Sequence, residues 1–210
     1  PDGALWVGTT LGLCRYRDGA FSPAARDGSL PAYVSALCFD AEGALWAGTS
    51  DGLFRCRQGG RFDRQPLPGG PADNAVWSLC AARDGNLWVG TAGDCLVALG
   101  RAGLRRYSRR ENLSGSRVRV IHQDRSGTLW VGTDNGGLNR FADGGFTGLD
   151  QRRGLSNDSV RALVDDHEGS LWIGTFGGGL CRLKDDRYVF YNSRNGLPVD
   201  LTRAVLQDRS

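Results

Sequence analysis

A six-residue phrase recurs five times and constrains this chain more than anything else in it: ALWVGT ending at Thr9, ALWAGT at Thr49, NLWVGT at Thr91, TLWVGT at Thr133 and SLWIGT at Thr175. Its tryptophans, Trp6, Trp46, Trp88, Trp130 and Trp172, are separated by 40, 42, 42 and 42 residues. A fixed period of that length marks stacked supersecondary units, none of which can bury its apolar face alone. The glycines Gly8, Gly48, Gly90, Gly132 and Gly174 recur in step with the tryptophans.

The unit from Ser159 to Tyr191 reads as a run SVRALVDD, a turn HEG, a run SLWIGT, a turn FGGG, a run LCRLK, a turn DDR and a run YVFY. Short β-branched or aromatic runs bounded by Gly, Asp or Asn are the signal for strands joined by hairpins. No helical spacing of apolar residues persists across the Gly-containing turns. Within SLWIGT, Leu171, Ile173 and Thr175 alternate with Trp172 and Gly174, so both faces are apolar. A strand buried on both sides needs a sheet above it and another below. The class is therefore all-β: a β-propeller of about five four-stranded antiparallel blades, in one domain over 1–210. The Gly beside each Trp is expected to make room for a ring of the adjacent blade, because a large side chain needs a small partner at native packing density.

Composition narrows the function. The chain has 210 residues, 40% hydrophobic and 23% charged, which suits a folded domain with a sizeable core. No run approaches the roughly 20 apolar residues of a membrane helix, and no stretch has the order of a secretory signal. The chain opens at Pro1 and contains no Met, so it reads as a segment of a longer protein. Net charge is only +3, and Lys184 is the single lysine among 26 basic residues. Arginine grips carboxylate or phosphate with a planar fork, although a codon bias toward Arg explains the imbalance as well. There is no dense basic stripe, so nucleic acid is not an expected partner.

Six cysteines fall into repeat registers rather than a disulfide framework. Cys38 and Cys80 share a slot with His122, Val164 and Leu206, which reads as a core-strand position. Cys14 and Cys181 share one with Phe54, Val97 and Asn139, while Cys56 and Cys95 stand alone. Free cysteines packed as small hydrophobes fit that pattern. The spacing of a zinc site is missing, and no metal or cofactor is expected. The run Asp165-Asp166-His167-Glu168 is read as a turn, because Asp40, Asp124 and Asp166 each precede the turn glycine by three residues.

Once aligned, the units share Val-x-x-Leu-x-x-Asp-x-x-Gly-x-Leu-Trp-x-Gly-Thr followed by Gly-Leu-x-Arg, as in VRALVDDHEGSLWIGTFGGGLCR and VRVIHQDRSGTLWVGTDNGGLNR. This resembles the two-component-regulator propeller repeats over nearly the whole chain. The third unit departs from the pattern, with GTAGDCLVAL and with Ala82 in place of the turn Asp, so a distorted third strand is expected there. The resemblance implies a periplasmic or otherwise extracytoplasmic sensor segment of a membrane-bound regulator, typically a histidine kinase, hybrid kinase or cyclase. Such a segment would bind an extracellular small molecule or an oligosaccharide, neutral or anionic. Its partners would be that glycan and the rest of the regulator.

The two ends of the chain look complementary. The segment 202–208 reads as a first strand that could pair with the Trp6 strand and close a five-blade ring; alternatively the chain is an arc of a larger propeller. An open arc would expose apolar blade faces and oligomerise, with a homodimer as one outcome.

Recognition is expected on loops that vary while the scaffold repeats. These are the connections around Arg26 to Tyr33, Pro66 to Asn74, Arg109 to Arg117, Arg152 to Ser159 and Arg194 to Leu201, together with Asp134, Asn135 and Phe176. One register stands out: Ser35, Trp77, Arg119, Arg161 and Arg203 each follow the opening Val or Thr of a first strand. Near a channel mouth, Arg119, Arg161 and Arg203 with Trp77 could hold an anionic ligand. Alternatively each Arg pairs with a local acid such as Asp158 or Asp200. An enzyme of the glycosidase or lyase type is the competing class, and a protein-interaction scaffold is another. Sialidase-type Asp boxes place Asp two residues before Gly, one fewer than here, and His122 and His167 lie in different registers. No catalytic residue is expected.

Overall fold

A computed structural model describes residues 3–25, 28–31, 33–57, 60–68, 74–93 and 95–208. Among these residues every regular element apart from short 3-10 turns is a strand, and the strands form five antiparallel sheets. The first sheet contains β1 (Leu5–Thr9), β2 (Gly12–Arg17) and β3 (Ala20–Pro23). The second contains β4 (Val34–Phe39), β5 (Leu45–Thr49), β6 (Gly52–Cys56) and β7 (Phe62–Gln65). The third contains β8 (Val76–Ala81), β9 (Leu87–Thr91), β10 (Leu96–Gly100) and β11 (Gly103–Tyr107). The fourth is built of β12 (Val118–Gln123), β13 (Leu129–Thr133), β14 (Leu138–Ala142) and β15 (Gly145–Leu149). The fifth is built of β16 (Val160–Asp165), β17 (Leu171–Thr175), β18 (Leu180–Lys184) and β19 (Arg187–Tyr191). Each sheet is a meander in chain order, as the hairpin reading expected.

The chain divides into two compact units, Pro1–Arg106 and Tyr107–Ser210. In the first, Leu13 of the first sheet packs with Val34, Ala47 and Phe54 of the second. Trp46 and Leu53 of the second sheet pack in turn with Val76, Val89 and Val97 of the third. In the second unit, Trp130 and Leu138 pack with Val160, Leu163 and Ile173 of the next sheet. These are sheets stacked face to face. The motif strands β5, β9 and β13 are buried along their whole length, which confirms apolar packing on both faces. The first sheet differs: Leu5 is 60% exposed and Trp6 is only half-buried.

The motif glycine makes room for a different group than expected. A Cβ at Gly132 would lie 2.6 Å from Val160 Cγ1, one at Gly48 would lie 2.5 Å from Val76 Cγ1, and one at Gly8 would lie 2.9 Å from Val34 Cγ1. The intruder is the β-branched residue that opens the next sheet's first strand, not an aromatic ring. Val fits because its two methyls fill a short slot that a ring would overrun.

The turn acid does more than shape its turn. Asp124 Oδ1 accepts from Thr128 N, and Oδ2 accepts from Trp130 Nε1 at 2.7 Å. Asp40 holds Trp46 at 2.8 Å and Asp166 holds Trp172 at 2.8 Å in the same way. On the neighbouring strand, the Arg of Gly-Leu-x-Arg lies over the indole, with Arg55 4.9 Å from the Trp46 centroid and Arg182 5.6 Å from that of Trp172. This unit of Asp, Trp and Arg explains why the three recur together.

Other expectations are corrected. β10 of the third unit pairs regularly with β9 from Leu96↔Gly90 to Leu99↔Leu87, so the departing sequence leaves the strand undistorted; Asp94 lies outside the described residues. The register of Cys38, Cys80, His122 and Val164 is half-buried rather than core, and Leu206 is 90% exposed. Asn139 is fully buried and satisfied, its amide oxygen accepting from Ser114 N and Oγ. Residues 202–208 form no strand; only Leu201 bridges to Phe176, so among the described residues the first sheet keeps three strands. Thr202 does occupy the slot over Gly174, its Cγ2 2.6 Å from a Cβ built there. The segment stops being a strand because it has no ladder beyond that point, and a strand exists only through its pairing.

Candidate functional site

The register singled out in the sequence is a bulge. Val118 pairs with Thr133 and Val120 with Gly132, which leaves Arg119 as an extra residue. The same register shift falls at Arg161 between Val160 and Ala162, at Trp77 between Val76 and Ser78, and at Ser35 between Val34 and Ala36. A bulge re-aims the side chain of its extra residue, which frees this position from the alternation that fixes its neighbours. Hence it varies while the valine before it repeats.

In the second unit the bulge arginines converge on one acid. Asp134, immediately after β13, accepts from Arg119 Nη2 at 2.7 Å. Arg161 Nη2 lies 2.8 Å from its other oxygen, Oδ1, and Arg117 Nη1 lies 3.7 Å from Oδ2, the oxygen that serves Arg119. Burial alone would push the Asp134 carboxyl up, but the hydrogen bond and charge of Arg119 and the charges of Arg161 and Arg117 hold it below the usual carboxylate range. Arg161 also lies over the ring of Phe176, 5.1 Å from its centroid, and that ring is 43% exposed. Arg203 is exposed, and its charge acts on Arg161.

The structure brings Arg119, Arg161, Asp134 and Phe176 together, although the sequence named them in two separate sets, and it gives the arginines Asp134 rather than Asp158 or Asp200 as counter-ion. Asp158 accepts from Gln151 N and Asp200 from Ser193 N, so neither serves the arginines. Asn135 holds its own loop, its oxygen accepting from Ser116 N and Oγ. Trp77 belongs to the first unit, where it is half-buried at the bulge of β8.

The connections expected to vary do line clefts. One of about 510 Å³ is walled by Leu155, Ser156, Gly177, Gly178, Asn192 and Arg194. Another of about 520 Å³ contains Leu113, Ser114 and Asp150, each 42 residues earlier than its counterpart Leu155, Ser156 and Asn192. Arg26 and residues 27, 32 and 69–73 of the expected loops lie outside the described residues.

The imidazoles and the acidic run are structurally engaged. His122 Nε2 lies 2.8 Å from Asp165 Oδ1, and His167 Nε2 lies 3.1 Å from Gln207 Nε2. Asp166 is committed to Trp172, Ser170 N and Glu168 N. Among the described residues no group of three His, Cys, Asp or Glu side chains is placed to hold a metal ion, and no helix is long and apolar enough to cross a membrane.

Known proteins agree with this geometry. The sequence profile described as the two component regulator propeller matches residues 28–51, 70–93, 112–135 and 154–177, each match enclosing one motif Trp and Gly. The chain carries four two-component-regulator propeller repeats. In fold, this regulator propeller is similar to the extracellular domain of a B. thetaiotaomicron protein described as a hybrid two-component system, at 22% identity and a TM-score of 0.85, over 99% of this chain and 30% of that one. It is also similar to PorZ, a surface component of the type-IX secretion system of Porphyromonas gingivalis, at 17% identity and a TM-score of 0.75, over 99% and 35%. Virginiamycin B lyase of Staphylococcus aureus shares the fold at 16% identity and a TM-score of 0.72, over 90% and 66%. The chain thus spans under a third of the regulator domain's length. No curated protein matches it in sequence.

Proposed function

We propose that this propeller segment is the ligand-sensing input of a two-component regulator, acting outside the cytoplasm on an extracellular small molecule or oligosaccharide. The observation that carries the reading is the division of labour between scaffold and bulge. Asp, Trp, Gly and Val repeat to hold the sheets, whereas the bulged position and the loops beside it carry Arg119, Arg161, Asp134 and Phe176. Recognition groups on a rigid repeated frame suit a binding surface. The segment itself is read as non-catalytic, because its imidazoles are engaged with Asp165 and Gln207 and its turn acids Asp40, Asp124 and Asp166 with tryptophans. The regulator's remaining domains would be its partner and would carry the output.

The test is a saccharide array on the purified chain with product analysis of every positive. Binding without turnover supports the reading. Turnover moves the segment to the propeller enzymes, and no binding to any saccharide or small acid in the panel removes the sensing proposal.

A further inference from the structure

Arg161 is held under poor terms. Its Nη2 comes within 2.8 Å of Asp134 Oδ1, yet that oxygen has no aligned hydrogen bond and Arg161 Nε is buried without a partner among the described residues. Asp134 already serves Arg119 through its other oxygen. Among the described residues, the charges that act on Arg161 include Asp134 and two further cations, Arg119 and Arg203. Arg203 itself has no ion pair or hydrogen bond among the described residues, and Phe176 leaves its ring open beside Arg161. A guanidinium presents five donors in a fixed fork, and Arg161 places only Nη2 against Asp134 while its side chain stays 26% exposed, so donors remain for a planar oxyanion.

We propose that Arg161 and Arg203, beside Phe176, bind a carboxylate group of the ligand, with Asp134 as the built-in counter-ion that holds Arg161 in place when no ligand is bound. The inference rests on the sensing proposal for its biological meaning and narrows the ligand to one bearing a carboxylate. A carboxylate would supply the acceptors that Asp134, shared among several arginines, cannot. The bulge matters here because an in-register Arg161 would follow the strand's alternation away from Asp134.

The test measures the unfolding temperature of the purified chain with citrate or D-glucuronate against sodium chloride at equal ionic strength, and against D-glucose at equal concentration. The wild type is expected to be stabilised by the carboxylates beyond chloride. Arg203→Ala, which removes an exposed side chain, and Arg161→Lys, which keeps the charge but loses the fork, should each weaken the apparent affinity about tenfold or more, the loss of one charged bidentate contact. Arg187→Ala, an exposed arginine on β19, serves as the charge control and should leave it unchanged. No stabilisation of the wild type beyond chloride, or an equal loss in Arg203→Ala and Arg187→Ala, overturns the proposal. Stabilisation by glucose alone also overturns it, while leaving the sensing reading intact.

Discussion

Trp130 donates its indole N–H to the carboxylate of Asp124, 2.7 Å away and six residues earlier in the chain. Through this bond the turn and the strand it introduces form one object, and the pair recurs as Asp40 with Trp46 and Asp166 with Trp172. Asp124→Asn keeps the shape but removes the charged acceptor. It should cost about 1.5–3 kcal/mol, the usual worth of a hydrogen bond to a charged group. Urea denaturation at neutral pH checks this, and an unchanged midpoint would count against the role.

The same acids set a pH dependence. Burial alone would raise the Asp40, Asp124 and Asp166 carboxyls, but their hydrogen bonds from tryptophan and from turn groups more than offset it and hold all three below the usual range. A carboxylate with a depressed folded value contributes its stability above the unfolded value of about 3.9 and loses it as pH falls through the folded value. Denaturation curves should therefore be flat through neutral pH and show falling stability only below about pH 4. In Asp124→Asn that acid-side loss should be smaller.

Burial separates the tryptophans. Trp130 is 8% exposed and packs between sheets, so Trp130→Ala should cost roughly 3–5 kcal/mol by the behaviour of large core side chains. Trp6 is half-buried in a sheet whose motif strand is largely open, and Trp6→Ala should cost clearly less. Equal losses in the two variants would contradict the packing described.

Burial pushes the Cys181 thiol up to about 12. The nucleophile is the thiolate, so this side chain should resist alkylation at pH 8 in the folded protein and react once unfolded. Mass spectrometry after iodoacetamide treatment with and without denaturant reads this directly; labelling of native Cys181 would place it outside the core.

Much of the fold was legible because a strand buried on two faces writes its environment into every residue, as in LWVGT at β13. The contacts between sheets were not, since periodicity says that Gly132 needs space but not that Val160 fills it. The site was half legible. Variation at one register pointed to Arg119 and Arg161, but a bulge has no signature in a single sequence, and without it Asp158 and Asp200 looked as suitable as Asp134. The expected strand at 202–208 failed for a related reason: Leu206 belongs to an apolar register, yet register cannot supply a partner strand.

The fit of Val160 over Gly132 sets the site, because Arg161 follows the one and Asp134 lies two residues beyond the other. A double-mutant cycle of Gly132→Ala and Val160→Ala tests this most directly. The backbone at Gly132 is not left-handed, so the added methyl acts through crowding, at about 1–3 kcal/mol in a well-packed core. The account predicts that trimming Val160 relieves part of this cost, with a coupling of about 1 kcal/mol or more. Additivity within about 0.5 kcal/mol would show that the two residues do not meet and would contradict the packing on which the site depends.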